Sequence, residues 1–76
     1  MSLRKRWESL DRATIGRVPE RYGVYELGDD DGDVVDAGAG FLPDELREAL
    51  AYGEATSVRW TVANSEAHAR RLLEEL

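Results

Sequence analysis

The sequence predicts an α+β domain in which a small three-stranded antiparallel sheet is flanked by helices. Two runs of strand-forming residues surround an Asp- and Gly-rich turn over residues 22–37, which is the pattern of a β-hairpin. A third run, over residues 56–63, alternates apolar and polar side chains, as a half-buried strand does. Two segments, starting near Pro43 and Ser65, repeat apolar residues at helical spacing. The predicted order of elements is (α)ββαβα.

The first element is a predicted N-terminal helical leader over residues 1–17. Three apolar residues follow the i, i+4, i+7 spacing of one helical face: Leu3, Trp7 and Leu10. The residues after them either prolong this helix or form a second helical turn. Because Pro19 disfavours helical backbone at the residue before it, we expect the leader to end there and the α+β domain to occupy residues 18–76.

The hairpin comes next, with strands predicted at residues 22–27 and 33–37 and a turn at residues 28–32. If residues 30 and 31 form the tip, Tyr25 lies opposite Asp36 and the two side chains share one face of the sheet. A phenol facing a carboxylate can take part in acid–base chemistry. Tyr25 and Asp36 are therefore candidate catalytic residues.

The remaining elements are a helix, a strand and a second helix. Pro43 suits the first position of a helix that ends at Gly53, and its predicted buried stripe is Leu46, Ala49 and Leu50. The third strand is predicted to bury Val58, Trp60 and Val62. Asn64 or Ser65 caps the last helix, whose stripe is predicted to be Ala69, Leu72, Leu73 and Leu76.

Composition excludes several classes of protein. The 76 residues include no cysteine, which excludes disulfides and thiolate metal sites. No apolar run approaches the roughly 20 residues of a membrane span, and no signal peptide is recognisable. We therefore expect a soluble, cytoplasmic protein without a membrane partner.

Charge is the more informative property. The chain has a net charge of −6 and only one lysine, Lys5, among its ten basic residues. Such a composition is expected of a protein adapted to concentrated salt, where charge repulsion is screened within about 3 Å at 1 M. The alternative is an ordinary acidic cytosolic protein from a genome that prefers arginine codons.

The basic residues are concentrated near the N-terminus. Residues 1–22 carry a net +3, and Arg4, Lys5 and Arg6 follow one another. This segment is a candidate contact for nucleic acid or for an acidic partner. The alternative is that these residues form the solvated surface of a helix or an arm.

The acidic turn suggests a calcium loop, but its spacing excludes one. A hand-type loop needs Gly at its sixth position and Glu at its twelfth. Counted from Asp29, those positions hold Val34 and Gly40. We expect no preformed calcium site there.

The hairpin resembles the signature region of the GIY-YIG nuclease superfamily. The two triplets are Gly23-Val24-Tyr25 and, after ten intervening residues, Asp36-Ala37-Gly38. A helix with Leu46, Arg47 and Leu50, a third strand and a final helix continue the resemblance over residues 18–76. The resemblance implies a Mg²⁺-dependent phosphodiesterase, in which a tyrosine activates water, an arginine holds the phosphate and a glutamate on the last helix binds the metal.

The resemblance transfers only partly to individual positions. Tyr25 matches the first tyrosine, but Asp36 replaces the second, and Ala49 stands where the arginine is expected. Arg47 lies two residues earlier, about 200° around the helix, so it is a displaced candidate. Glu74 is the candidate metal ligand, one residue from the expected place.

The sequence thus leads to three functional hypotheses. The first is a non-catalytic GIY-YIG-like binding domain that acts on nucleic acid or within an assembly, with no cofactor implied for certain. The second is an active metal-dependent endonuclease that uses Mg²⁺ with Tyr25, Asp36 and Glu74. The third is a protein-interaction or dimerisation domain, since a core this small gains stability from a partner's buried area.

Overall fold

The computed structural model describes residues 3–76, so the first two residues of the predicted leader lie outside the described part. Within it, the chain is an α+β domain with a four-stranded antiparallel sheet and three helices. In chain order the elements are β1 (Glu8–Ser9), α1 (Arg12–Arg17), β2 (Tyr22–Gly28), β3 (Val34–Phe41), α2 (Leu42–Tyr52), β4 (Ser57–Val62) and α3 (Glu66–Glu74). The α+β class is confirmed, but the prediction of three strands is wrong.

The additional strand is β1, and it replaces the predicted first helix. The strand order in the sheet is β1-β4-β2-β3, and Glu8 and Ser9 pair with Val58 and Ser57. The segment that carries Leu3, Trp7 and Leu10 is extended and not helical. Leu10 is buried from this segment, and Leu3 and Trp7 are half-buried. Trp7 lies against β2, where a Cβ at Gly28 would come within 2.8 Å of its indole ring.

Helix α1 is the separate helical turn that the sequence allowed. Asp11 caps it, since its carboxylate accepts a hydrogen bond from the Thr14 amide at 2.8 Å. That bond is the main reason why the pKa of Asp11 is lowered. Ile15 and the C-cap residue Val18 are buried.

The hairpin forms, but its predicted register is wrong. Tyr25 pairs with Gly38, and Asp36 pairs with Leu27, two residues away from the expected alignment. Two insertions cause this shift. The turn holds three residues between Asp29 and Asp33, with Gly32 at φ 83°, and β3 has one extra residue opposite the Leu27–Gly28 step, which is a β-bulge.

The main core lies on the face of the sheet that bears Tyr25. Helices α1 and α2 cover this face, and the core side chains are Leu10, Ile15, Val18, Leu27, Leu42, Leu46 and Val58. Leu42, one residue before the predicted start at Pro43, begins α2 and is fully buried, whereas Leu50, predicted in the buried stripe, is 37 % exposed. Gly53 and Ser65 cap α2 and α3 as predicted.

The opposite face of the sheet is covered by α3 and by residues 3–7. It contains a buried ion pair, in which Arg59 Nε donates to Glu26 Oε1 at 2.8 Å. The same carboxylate oxygen accepts from the Leu3 amide, and the Arg59 guanidinium lies 4.1 Å from the centroid of the Trp7 ring. The ion pair therefore anchors the N-terminal segment to the sheet.

Over residues 3–76, the longest helix has 11 residues, and none is long and apolar enough to cross a membrane.

Candidate functional site: an acidic cleft between β3 and α2

A cleft of about 250 Å³ opens between β3 and α2 on the Tyr25 face of the sheet. We call it the acidic cleft, and its lining consists of Tyr25, Leu27, Asp36, Glu45, Glu48, Ala49, Tyr52 and Gly53. It continues, past the shared residues Asp36 and Tyr52, into a wider depression of about 580 Å³ that adds Asp29 and Glu54. Carboxylates and two phenol rings thus dominate one continuous surface.

Tyr25 is held in place by α2. Its hydroxyl donates a hydrogen bond to Glu45 Oε1 at 2.9 Å. Partial burial raises the pKa of the Tyr25 phenol, and the hydrogen bond and the negative charge of Glu45 raise it further. The phenol therefore stays protonated well above neutral pH, where it acts as a hydrogen-bond donor rather than as a base.

Two glycines of β3 make this arrangement possible. A Cβ at Gly38 would collide with the Tyr25 hydroxyl and ring, and a Cβ at Gly40 would lie 2.8 Å from Glu45 Cγ and Cδ. Without side chains at these positions, the phenol and the carboxylate rest directly on the strand backbone. The Gly-x-Gly spacing of β3 thus shapes the floor of the cleft.

The acidic cleft has an excess of negative charge. Within residues 3–76, Asp36, Glu45, Glu48 and Glu54 take part in none of the salt bridges. Asp36 instead turns back to the strand, where its Oδ1 accepts from the Ala37 amide at 2.8 Å. Four carboxylates near two aromatic rings, one of them the 86 % exposed Tyr52, create a surface that attracts cations.

The predicted catalytic and metal-binding residues do not all meet in this cleft. Tyr25 and Asp36 line it together, although they are not paired across the hairpin. Arg47 forms an exposed pair with Asp44 at 3.0 Å and lines a different groove between α1 and α2. Glu74 is exposed on α3, which packs on the opposite face of the sheet.

The predicted nucleic-acid contact lies elsewhere on the molecule. Arg4, Lys5 and Arg6 are exposed and line a cleft of about 500 Å³ with Glu8, Arg59 and Trp60. Lys5 also contributes its carbonyl oxygen to an Arg59 hydrogen bond of 3.3 Å. The backbone of the basic segment is therefore held at Lys5 by Arg59, whereas the side chains of residues 4–6 are exposed to solvent.

Sequence reasoning missed the contribution of α2 to the site. Glu45, Glu48 and Tyr52 follow the i, i+3, i+7 spacing of one helical stripe, which the sequence displays. This acidic and aromatic stripe lies beside the predicted apolar stripe of the same helix. It was the signal in the sequence from which the contribution of α2 could have been predicted.

The acidic turn has a structural role. Carboxylate oxygens of Asp29, Asp31 and Asp33 lie within 4.8 Å of one another, and Asp29 Oδ1 accepts from the amides of Asp31 and Asp33. Hydrogen bonds from a carboxylate to the amides that follow it are typical of tight turns. The Asp29 carboxylate therefore stabilises the turn itself.

The chain belongs to the family of a domain of unknown function, DUF7508, whose model matches residues 1–76. The comparison with family models gave no match to the GIY-YIG superfamily, so the predicted membership is wrong. The glycine of each triplet has a structural role in the sheet, since a Cβ at Gly23 would collide with the Thr61 carbonyl and with Leu42, and a Cβ at Gly38 would collide with Tyr25. Comparisons with curated proteins and with solved structures found no match.

Proposed function

We propose that this protein is a non-catalytic binding domain whose acidic cleft receives cationic side chains, lysine or arginine, from a protein partner. The observation that carries this proposal is the set of carboxylates and phenol rings that converge between β3 and α2, where no cationic side chain of residues 3–76 forms a salt bridge with these carboxylates. Arginine and lysine form charge-assisted hydrogen bonds with carboxylates and also stack on aromatic rings. The acidic cleft offers both kinds of contact within one surface.

The state of Tyr25 disfavours a role as a general base and suits it to donate a hydrogen bond. A general base must be able to accept a proton near neutral pH. The raised pKa of the phenol and its donation to Glu45 hold Tyr25 in the protonated form. The phenol then orients Glu45, whose second carboxylate oxygen is available to a ligand.

A titration tests the proposal. The probe is a synthetic decapeptide of alternating arginine and valine, followed by calorimetry, with an alternating glutamate and valine decapeptide as the control ligand. The variant D36N/E48Q removes two charges of the acidic cleft and leaves the hydrogen bond between Tyr25 and Glu45 in place. We expect a loss of affinity of about two- to thirtyfold, since two exposed charge pairs contribute about 0.2–1 kcal/mol each.

The matched control is E20Q/E74Q, which removes two exposed charges outside the acidic cleft. It should bind the arginine peptide nearly as well as the natural protein. Equal losses in the two variants would show that only net charge matters, and absence of binding would refute the proposal.

The competing candidate is nucleic-acid binding through Arg4, Lys5 and Arg6, which the exposure of these three side chains favours. The same titration with single-stranded DNA separates the two. Binding of DNA that is lost in R4Q/K5Q/R6Q, together with no binding of the arginine peptide, would favour this candidate instead.

A further inference from the structure

Strand β3 is a long and unprotected edge of the sheet. The other edge is β1, which has only two residues, whereas β3 has eight. Edge strands are commonly protected from further pairing by proline, lysine or great shortness. The β-bulge and Asp36 protect the beginning of the strand, but from Ala37 to Phe41 β3 has no proline, no bulge and no charged side chain.

The orientation of the free backbone groups follows from the pairing with β2. The Leu42 amide donates to the Arg21 carbonyl at 2.9 Å, so the even-numbered residues of the regular stretch point their backbone groups towards β2. The amides of Ala37, Ala39 and Phe41 therefore point outward. Of these three, only the Ala37 amide has a partner among residues 3–76, the carboxylate of Asp36.

The side chains of the same strand alternate between the two faces. Gly38 and Gly40 lie on the face of the acidic cleft, beneath Tyr25 and Glu45. Ala37, Ala39 and Phe41 lie on the opposite face, where their apolar side chains are half-buried. A strand added to this edge would place alternate side chains beside the carboxylates and beside the apolar residues.

We propose that the partner of this domain is an extended segment of alternating cationic and apolar residues that adds to β3 as an antiparallel fifth strand. This inference rests on the proposed function of the acidic cleft and adds the manner of binding. Main-chain hydrogen bonds to the outward groups of Ala37 and Ala39 provide affinity, as in other strand-addition complexes. Cationic side chains opposite Gly38 and Gly40 reach Tyr25 and Glu45.

Asp36 has a double part in this mechanism. In the free domain its carboxylate occupies the outward Ala37 amide and so shields one position of the edge. An added strand takes over that amide, and the released carboxylate pairs with a cationic side chain of the ligand. Each exchange replaces one hydrogen bond with another, so opening the edge leaves no buried group unpaired.

A second copy of β3 is a poor occupant of the same edge. When two copies of β3 pair antiparallel, their outward, odd-numbered residues face one another, and so do their even-numbered residues. Asp36 of one copy then lies opposite Asp36 of the other copy, or opposite one of the glycines on which Tyr25 and Glu45 rest. Like charges facing each other across a pair of strands are destabilising. The charge of the cleft therefore selects a cationic strand.

Methylated peptides test the manner of binding on the natural protein. In an antiparallel pair the residues that bond to Ala37 and Ala39 share their face of the sheet, so they are the valines of the arginine–valine decapeptide. N-methylation of the valine amides should therefore weaken binding roughly tenfold or more, since each lost hydrogen bond contributes a few-fold. N-methylation of the arginine amides should leave affinity nearly unchanged.

The variant A39P provides a second test from the side of the protein. Proline removes one outward amide without touching the ladder to β2, a place where edge strands tolerate it. We expect a several-fold loss of peptide affinity in A39P, whose integrity is checked by circular dichroism, and no loss in the control variant A39S, which keeps the outward amide. Equal affinities of both methylated peptides would overturn strand addition while leaving the proposed function intact. Failure of the unmethylated peptide to bind would overturn both.

Discussion

Replacement of Arg59 by an uncharged residue should strongly destabilise the domain, because the buried Glu26 carboxylate then has no cation beside it. Glu26 is 3 % exposed in the middle of β2, and its partner Arg59 keeps only 14 % of its side chain exposed. The variant R59M leaves the Glu26 carboxylate buried with the Leu3 amide as its remaining partner. Breaking a buried ion pair lowers the free energy of unfolding by about 3–5 kcal/mol. Because Arg59 is still partly exposed, we expect a loss of about 3 kcal/mol.

This loss is large relative to the total stability. A domain of this length has a free energy of unfolding of about 4–11 kcal/mol, from the usual 0.05–0.15 kcal/mol per residue. Urea unfolding followed by tryptophan fluorescence reports the change, because Trp7 and Trp60 are both half-buried in the folded domain. The midpoint should fall by about 1–3 M.

Two further variants identify the cause. The double variant E26Q/R59M also removes the unpaired charge of Glu26, so it should be more stable than R59M alone. The control R17M breaks the exposed pair with Glu8, which should contribute about 1 kcal/mol or less. If R59M is no less stable than R17M, the assignment of Glu26 and Arg59 as a buried anchor for the N-terminal segment is refuted.

Two other predictions concern the acidic cleft. The pKa of Tyr25 is raised in the folded state, so the phenol contributes stability that is fully present below about pH 10 and is lost as the pH rises further. The urea midpoint should therefore fall less steeply between about pH 9 and pH 11 in Y25F than in the natural protein. The control Y52F should behave like the natural protein. Equal slopes in all three proteins would contradict the role of the Tyr25–Glu45 contact. The variant G38A should destabilise the domain by displacing the Tyr25 ring, whereas G16A, where a Cβ meets nothing within 4 Å in α1, should stabilise it by about 0.5–1 kcal/mol. Stabilisation in both variants, measured by thermal unfolding, would show that the ring does not rest on Gly38.

Local chemistry made several elements predictable from the sequence. Ser65 caps α3 because its side-chain oxygen accepts from the His68 amide, and α2 ends at Gly53, where a Cβ would lie 2.8 Å from the Ala49 carbonyl oxygen. Strand β4 was recognisable from its alternation alone. These features depend on neighbours in the chain, so no knowledge of the rest of the fold was needed.

Features that depend on distant contacts were not predictable in the same way. A bulge and a three-residue turn shifted the hairpin register; Gly32 at the third turn position was a signal for the turn, whereas nothing in the sequence marks the bulge at Val35. Glu26 and Arg59 look like surface charges in their strands and become buried only because residues 3–7 cross over them. The acidic cleft required the approach of α2 to β3, so Tyr25 and Asp36 were found and Glu45 was not.

Chemical-shift mapping of the ¹⁵N-labelled domain with the arginine–valine decapeptide tests the central claim most directly. The account predicts that shifts concentrate in residues 36–41 of β3 and in residues 45–53 around α2. Shifts centred on Arg4, Lys5 and Arg6, or on the groove between α1 and α2, would contradict it.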